Sequence, residues 1–178
     1  MTGTPSSVAL HPFDESSITP EYLGWLNDRV LLRYSRQRYR RHTRESSLEY
    51  LRSFEGSPSR FWSVRRSADG VQVGTMTAFL DPDEGTGDLG ILIGVPGRGY
   101  GREAWGLGMR ALFQDLGLRR VTGGTVAENS PMVRIFLAWG MRLEGTRREH
   151  QLVDGRPVDV LLFGMLAREW SVREDRRG

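Results

Sequence analysis

The feature that most limits how this chain can fold is the stretch from Asp88 to Leu116, where the hydrophobic pattern switches from strand to helix across a glycine-rich break. Asp88 to Val95 is a strand-like apolar run. Pro96-Gly97-Arg98-Gly99-Tyr100-Gly101 cannot continue it, because proline supplies no N–H and the glycines carry no Cβ. From Arg102 onward, Ala104, Leu107, Gly108, Ala111, Leu112 and Leu116 recur at helical spacing. A loop of this composition can bring its backbone close to a ligand, with its N–H groups pointing outward at a helix N-terminus. Such a terminus attracts anions, and Arg98 and Arg102 add positive charge. A phosphate-bearing ligand is the natural occupant, and the bland alternative is a glycine-rich connection with no ligand.

The 178 residues suffice for one domain with a full core. No apolar run approaches a membrane span. Met1 to Ser7 lacks the basic and apolar regions of a signal peptide. The lack of cysteine excludes disulfides, thiolate metal sites and a cysteine nucleophile. Together these features favour a cytoplasmic protein with no membrane contact. His11, His42 and His150 are too scattered for a metal motif, so no metal is expected. All 25 basic residues are arginine, which rules out lysine Schiff-base chemistry, and a net charge of +3 is modest for a nucleic-acid binder.

Taken in order, Val8 to Phe13 reads as a short strand. Thr19-Pro20-Glu21 starts a helix with a capping hydroxyl, an early proline and an early acid, and Tyr22, Leu23, Trp25 and Leu26 give it an apolar face. Arginines and tyrosines interleave from Arg33 to His42, a pattern suited to an anionic partner or to a solvated loop. Thr43 caps a second helix whose buried side is Leu48, Tyr50, Leu51 and Phe54. Phe61 to Arg66 and Val71 to Phe79 alternate as an antiparallel hairpin, and Asp81 to Gly87 turns into the Asp88 strand. After the central helix come a strand at Arg120 to Val126, a helix opened by Asn129-Ser130-Pro131 and stopped by Gly140, and a hairpin turned at Asp154-Gly155. Residues 167 to 178 read as a polar, frayed tail.

This order decides the use of the glycine loop. A dinucleotide fold would use Gly99 to Ala104 as its fingerprint and Glu128 for the ribose, but it needs repeated βαβ units. Here one crossover helix stands between antiparallel hairpins, so that reading falls away. Asp88 to Gly94, the glycine loop and helix, and Asn129 to Met141 together resemble the GNAT superfamily of acetyl-CoA-dependent N-acetyltransferases. Leu26-Asn27-Asp28, Arg148-Glu149-His150, Asp154-Gly155-Arg156 and Asp159 are similar to its ribosomal-protein-alanine acetyltransferase branch, the RimJ/RimL type. The resemblance spans roughly residues 8 to 170. It implies a single GNAT domain over residues 1 to 178, with a core of about 8 to 168. The implied class is α+β: a mixed, mostly antiparallel seven-stranded sheet, splayed at its central strands and flanked by helices.

The resemblance also implies site residues. The family's pyrophosphate loop, Gln/Arg-x-x-Gly-x-Gly/Ala, falls on Pro96 to Gly101, with Gly97, Arg98, Gly99, Tyr100, Gly101 and Arg102 at the phosphates. Proline at the first position removes one donor. Leu92, Ile93 and Val95 would flank the pantetheine arm, and Asn129 matches an asparagine that contacts CoA. Asp88 is the candidate base, working through water where relatives place a longer glutamate, with His150 and Glu149 as alternatives. Asp159 would bind a cationic acceptor or pair with a facing arginine. Relatives protonate the leaving thiolate with a tyrosine or serine, but those positions hold Phe136 and Met132.

The implied reaction moves acetyl from acetyl-CoA to an amine acceptor. A protein N-terminus, an amino sugar held through its phosphates by Arg33 to Arg44, and a small amine all remain open. A homodimer is compatible with this family. Nucleic acid is not expected beyond a ribosome contact. The missing acid leaves two rival classes: a weakly catalytic acetyl-CoA-binding module, and an arginine-rich RNA- or ribosome-binding protein.

Overall fold

The computed structural model describes the backbone over residues 6–175 and the side chains over residues 6–171. Seven strands form one sheet: β1 Val8–Pro12, β2 Arg60–Arg66, β3 Gln72–Asp81, β4 Thr86–Ile93, β5 Arg120–Val126, β6 Arg142–Val153 and β7 Arg156–Leu166. Their order is β1-β2-β3-β4-β5-β7-β6, and only β4 and β5 are parallel. That single parallel pair requires one crossover, supplied by helix α3, Tyr100–Arg110. The other helices are α1 Pro20–Asn27, α2 Arg44–Arg52, α4 Ser130–Trp139 and α5 Ala167–Asp175.

The starts of α1 and α2 are as the sequence predicts. Thr19 accepts from the Tyr22 N–H at 3.2 Å, and Thr43 and Ser46 form a reciprocal capping box. The last hairpin turns at Asp154 and Gly155, both left-handed at φ 50° and 76°, as a two-residue turn requires.

Other elements differ from expectation. The Asp88 strand begins two residues earlier, at Thr86, and ends at Ile93, so Val95 lies exposed in the loop. The cause is Gly94, whose backbone carries the indole of Trp25. A Cβ there would stand 2.0 Å from the ring, and the Gly94 N–H makes the last sheet bond, 2.9 Å to Val73. The crossover helix starts at Tyr100 rather than Arg102, behind Gly99 at φ 80°, and ends in a π-helical turn at Ala111–Asp115. The expected frayed tail is helix α5 up to Asp175. Its Trp170 is buried against Phe113 and Trp139, an apolar anchor that outweighs the polar composition. Residues 176–178 lie outside the described residues.

The main core lies between the sheet and α3, with Trp105, Met109 and Leu112 fully buried. A smaller core on the opposite face packs Tyr22 and Leu26 of α1 against Phe13 and Phe61. Gly94 is where α1 meets β4. We expect Gly94→Ala to cost about 1–3 kcal/mol by overpacking and to lower Tm by about 2–10 °C. Combining it with Trp25→Leu should recover part of that loss, whereas additive losses would show that the two residues do not interact.

Candidate active site

β4 and β5 pair only at Thr86 with Arg120, Gly87 with Val121 and Asp88 with Thr122. Beyond Asp88 they part, β4 staying with β3 and β5 with β7. The facing edges of both strands lose their sheet partners, and such backbone groups need others. Two rings wedge the fork from the helical side. Trp105 meets Phe136 edge-on at 5.1 Å, and both press on Gly123, where a Cβ would stand 3.1 Å from each. The result is a cavity of about 560 Å³ that passes through the sheet. Leu89 to Leu92 form one wall and Gly124 to Val126 the other; α4 contributes Asn129, Met132 and Phe136.

The glycine loop stands at the end of β4. Gly97 and Gly99 adopt left-handed φ of 81° and 80°, and a Cβ at either would meet nothing within 4 Å, so both face open space. Tyr100 and Gly101, as the first residues of α3, have N–H groups with no intrahelical acceptor. Arg98 and Arg102 are exposed and form no ion pair among the described residues. Tyr100 differs from expectation in its side chain, which is buried in the core beside Arg66, so only its backbone faces the loop. Asn129 donates to the Thr125 hydroxyl at 3.0 Å, which orients its amide beside the cavity.

Asp88 is the last paired residue before the fork, outside the ring of residues that wall the cavity. Asp88 is exposed at the surface, yet the atoms packed around its carboxyl raise it above the ordinary value, against the opposing hydrogen bond from the Thr122 hydroxyl at 2.8 Å. His150 is not brought to the cleft. It is exposed where edge strand β6 slips register between Arg147 and Gln151, beside Glu149 at a left-handed φ of 49°. Asp159 accepts the Glu149 N–H at 2.9 Å, so it braces this irregular stretch rather than pairing with an arginine. Glu128 pairs with Arg156 at 3.6 Å.

The face of the cavity towards α1 and α2 holds residues that sequence reasoning missed. His42 lies in the wall, with Nε2 3.1 Å from the Gln37 carbonyl oxygen. A carbonyl only accepts, so in the neutral ring the proton sits on Nε2 and Nδ1 is left as the acceptor. Tyr50, expected to be buried, is half open and lines the cleft; burial raises its phenol, against a hydrogen bond with Thr77. Helical spacing marks a face but cannot tell a core face from a cavity wall, so no local signal identified Tyr50. His42 was hidden within the arginine run.

A fork between parallel strands, with a glycine loop and a helix N-terminus at its open end, is what the sequence resemblance implies. The model of the acetyltransferase (GNAT) domain matches residues 8–142. The chain belongs to the GNAT family. It is 29% identical over 122 residues to an uncharacterized N-acetyltransferase, p20, of Bacillus licheniformis, covering 67% of this chain and 68% of that one. Its fold superposes with a TM-score of 0.83 on spermidine N-acetyltransferase from Vibrio cholerae, solved with CoA and spermine, at 17% identity over 94% of this chain and 99% of that one. Ribosomal-protein-S5-alanine acetyltransferase from Vibrio fischeri gives 0.76 at 16% identity, over 94% and 97% of the two chains.

As a GNAT protein the chain is an acetyl-CoA-dependent acyltransferase that acts on an amine. Its residues fit that cosubstrate. The open glycine cradle, the free N–H groups of α3 and the two unpaired arginines suit a pyrophosphate, and the unpaired β4 edge suits the amides of a pantetheine arm. Among the described residues no cluster of three or more His, Asp or Glu could hold a metal, and no helix is long and apolar enough to cross a membrane.

Proposed function

We propose that this GNAT protein acetylates a primary amine that enters from the α1 and α2 side, with Asp88 accepting the amine proton through a bridging water. The observation that carries this reading is the parting of β4 and β5 immediately after Asp88. It opens one cavity to both faces of the sheet, so two substrates can meet inside it. Bringing them together supplies much of the rate.

Acetyl-CoA supplies an activated thioester. Gly97 to Arg102 hold its phosphates, with Pro96 contributing no donor; the backbone of Leu92 and Ile93 and the amide of Asn129 hold its arm. An unpaired N–H of the β4 edge polarises the thioester carbonyl. Asp88 takes the proton the amine loses on attack. Neither of the α4 positions where relatives carry an acid returns a proton to the thiolate: Phe136 is 1% exposed and apolar, and Met132 has no proton to give. Water does so instead.

His42 is the second candidate base, favoured by its free Nδ1 in the cavity wall. Acceptors to compare are N-terminal alanine and serine peptides, amino sugars and their phosphates, and polyamines. CoA release, followed with a thiol reagent across that panel, is expected to rise with one class. A protein that melts higher with acetyl-CoA yet turns over none of them would instead be the cosubstrate-binding module that the empty acid positions also allow.

A further inference from the structure

The arginines between Arg33 and Arg44 do different jobs. Arg33 pairs with Asp154 at 2.9 Å. Arg38 donates to the Ser35 carbonyl at 2.6 Å, bonds the Leu152 carbonyl and lies over the Tyr39 ring. Arg44 donates to the Ile18 carbonyl at 3.0 Å. These three tie the segment to β6 and to the N-terminal region. Arg40 and Arg41 are different. Both line the cavity, and neither guanidinium makes an ion pair or hydrogen bond among the described residues.

Their segment is held in place. Asn27 donates to the carbonyls of Leu23 and His42, both at 2.8 Å, and accepts the His42 N–H at 3.0 Å. Among the described residues the cavity wall contains no aspartate or glutamate. The acid Asp28 borders an adjoining hollow with Arg40 and Arg41. Its Oδ1 accepts the N–H groups of Val30 and Leu31, at 2.8 and 3.0 Å, and it forms no ion pair with either arginine among the described residues. The wall is hydroxyl-rich instead, with Ser47, Tyr50, Thr75 and Thr77. The Ser47 hydroxyl is buried and has no hydrogen-bond partner among the described residues.

We infer that the acceptor is an amine carrying its own anion, a carboxylate or a phosphate, which Arg40 and Arg41 hold at the rim while the amine reaches the fork. This deepens the acetyltransfer reading and rests on it. Among the described residues a polycation finds no carboxylate in this wall and meets two guanidiniums that have no ion-pair partner. An acceptor with an anion supplies their missing partner, through the charge-assisted, bidentate contacts that arginine favours.

The test uses acceptor pairs that differ in the anion: alanine against alanine amide, glucosamine 6-phosphate against glucosamine, with spermidine as the anion-free polycation. Binding to the CoA-loaded protein is measured by calorimetry, and turnover by CoA release. In at least one pair the anionic member should bind about tenfold more tightly, and which pair responds tells carboxylate from phosphate. The preference should shrink at high salt. Arg40→Ala/Arg41→Ala should abolish it while leaving acetyl-CoA affinity unchanged. Equal binding within both pairs, tighter binding of spermidine, or a preference that survives the double substitution overturns the inference alone. Failure of the wild-type protein to bind acetyl-CoA overturns the acetyltransfer reading and the inference together.

Discussion

Gly101→Glu is expected to weaken acetyl-CoA binding about a hundredfold. Gly101 is the second residue of α3, and a Cβ there would stand 3.3 Å from Ile135 Cδ1 and 3.5 Å from Ile93 Cγ1. Those contacts are with flexible side-chain ends, so the fold accommodates one methyl group, and Gly101→Ala should bind nearly normally. Glutamate adds bulk at the mouth of the fork and a negative charge beside the phosphate cradle. Like charges about 4 Å apart near a protein surface repel by roughly 4 kcal/mol. Solvent and salt at the exposed loop remove part of that, leaving about 2–3 kcal/mol, or roughly a hundredfold. Gly101→Gln separates bulk from charge and should lose only about tenfold. Unchanged affinity of the glutamate variant by calorimetry would remove the glycine loop from the site.

Asp88→Asn should lower kcat about a hundredfold, the lower end for loss of a positioned base, with acetyl-CoA affinity kept within about twofold. Asparagine keeps the shape and can still meet the Thr122 hydroxyl, but it cannot take a proton. The pH profile gives an independent check. The atoms packed around it, outweighing the Thr122 hydrogen bond, raise the Asp88 carboxyl. The acid limb of kcat/KM should therefore lie above the usual carboxylate range, with activity lost as pH falls through the folded-state value. That limb should vanish in the asparagine variant.

The stability consequence has the opposite sign. A raised folded-state pKa means that the group's favourable contribution is complete below its unfolded value and is lost as pH rises through the folded one. Asp88 is exposed, so solvent screens most of this effect, and Asp88→Asn should melt at nearly the same temperature. A variant that is both less stable and less active would point to a structural role. Full activity with normal stability would move the base to His42, where His42→Gln is the matching test.

What the sequence by itself determined was local. Thr19 and Thr43 cap helices because their hydroxyls reach N–H groups three residues on. Asp154-Gly155 turns a hairpin because both residues accept a left-handed backbone. The switch of period around the glycine loop set the strand, loop and helix to within two residues, since side-chain alternation and backbone freedom are properties of the segment itself. The order of these segments was enough to separate the family from a dinucleotide fold.

Only the tertiary structure decided what depends on which distant groups meet. His150 stands in a sequence context that looks catalytic, but the register slip in β6 leaves it on an exposed edge. Asp159 accepts the Glu149 N–H across the last hairpin, a contact that the sequence around neither residue signals. The polar tail becomes a helix because Trp170 finds Phe113 and Trp139. Identical arginines divide into structural and free ones according to whether Asp154, Leu152 or Ile18 lies within reach. None of these partners is close in sequence. Pairing energies between distant residues leave no periodic trace in the chain, so they emerge only once the sheet has set its register and opened its fork.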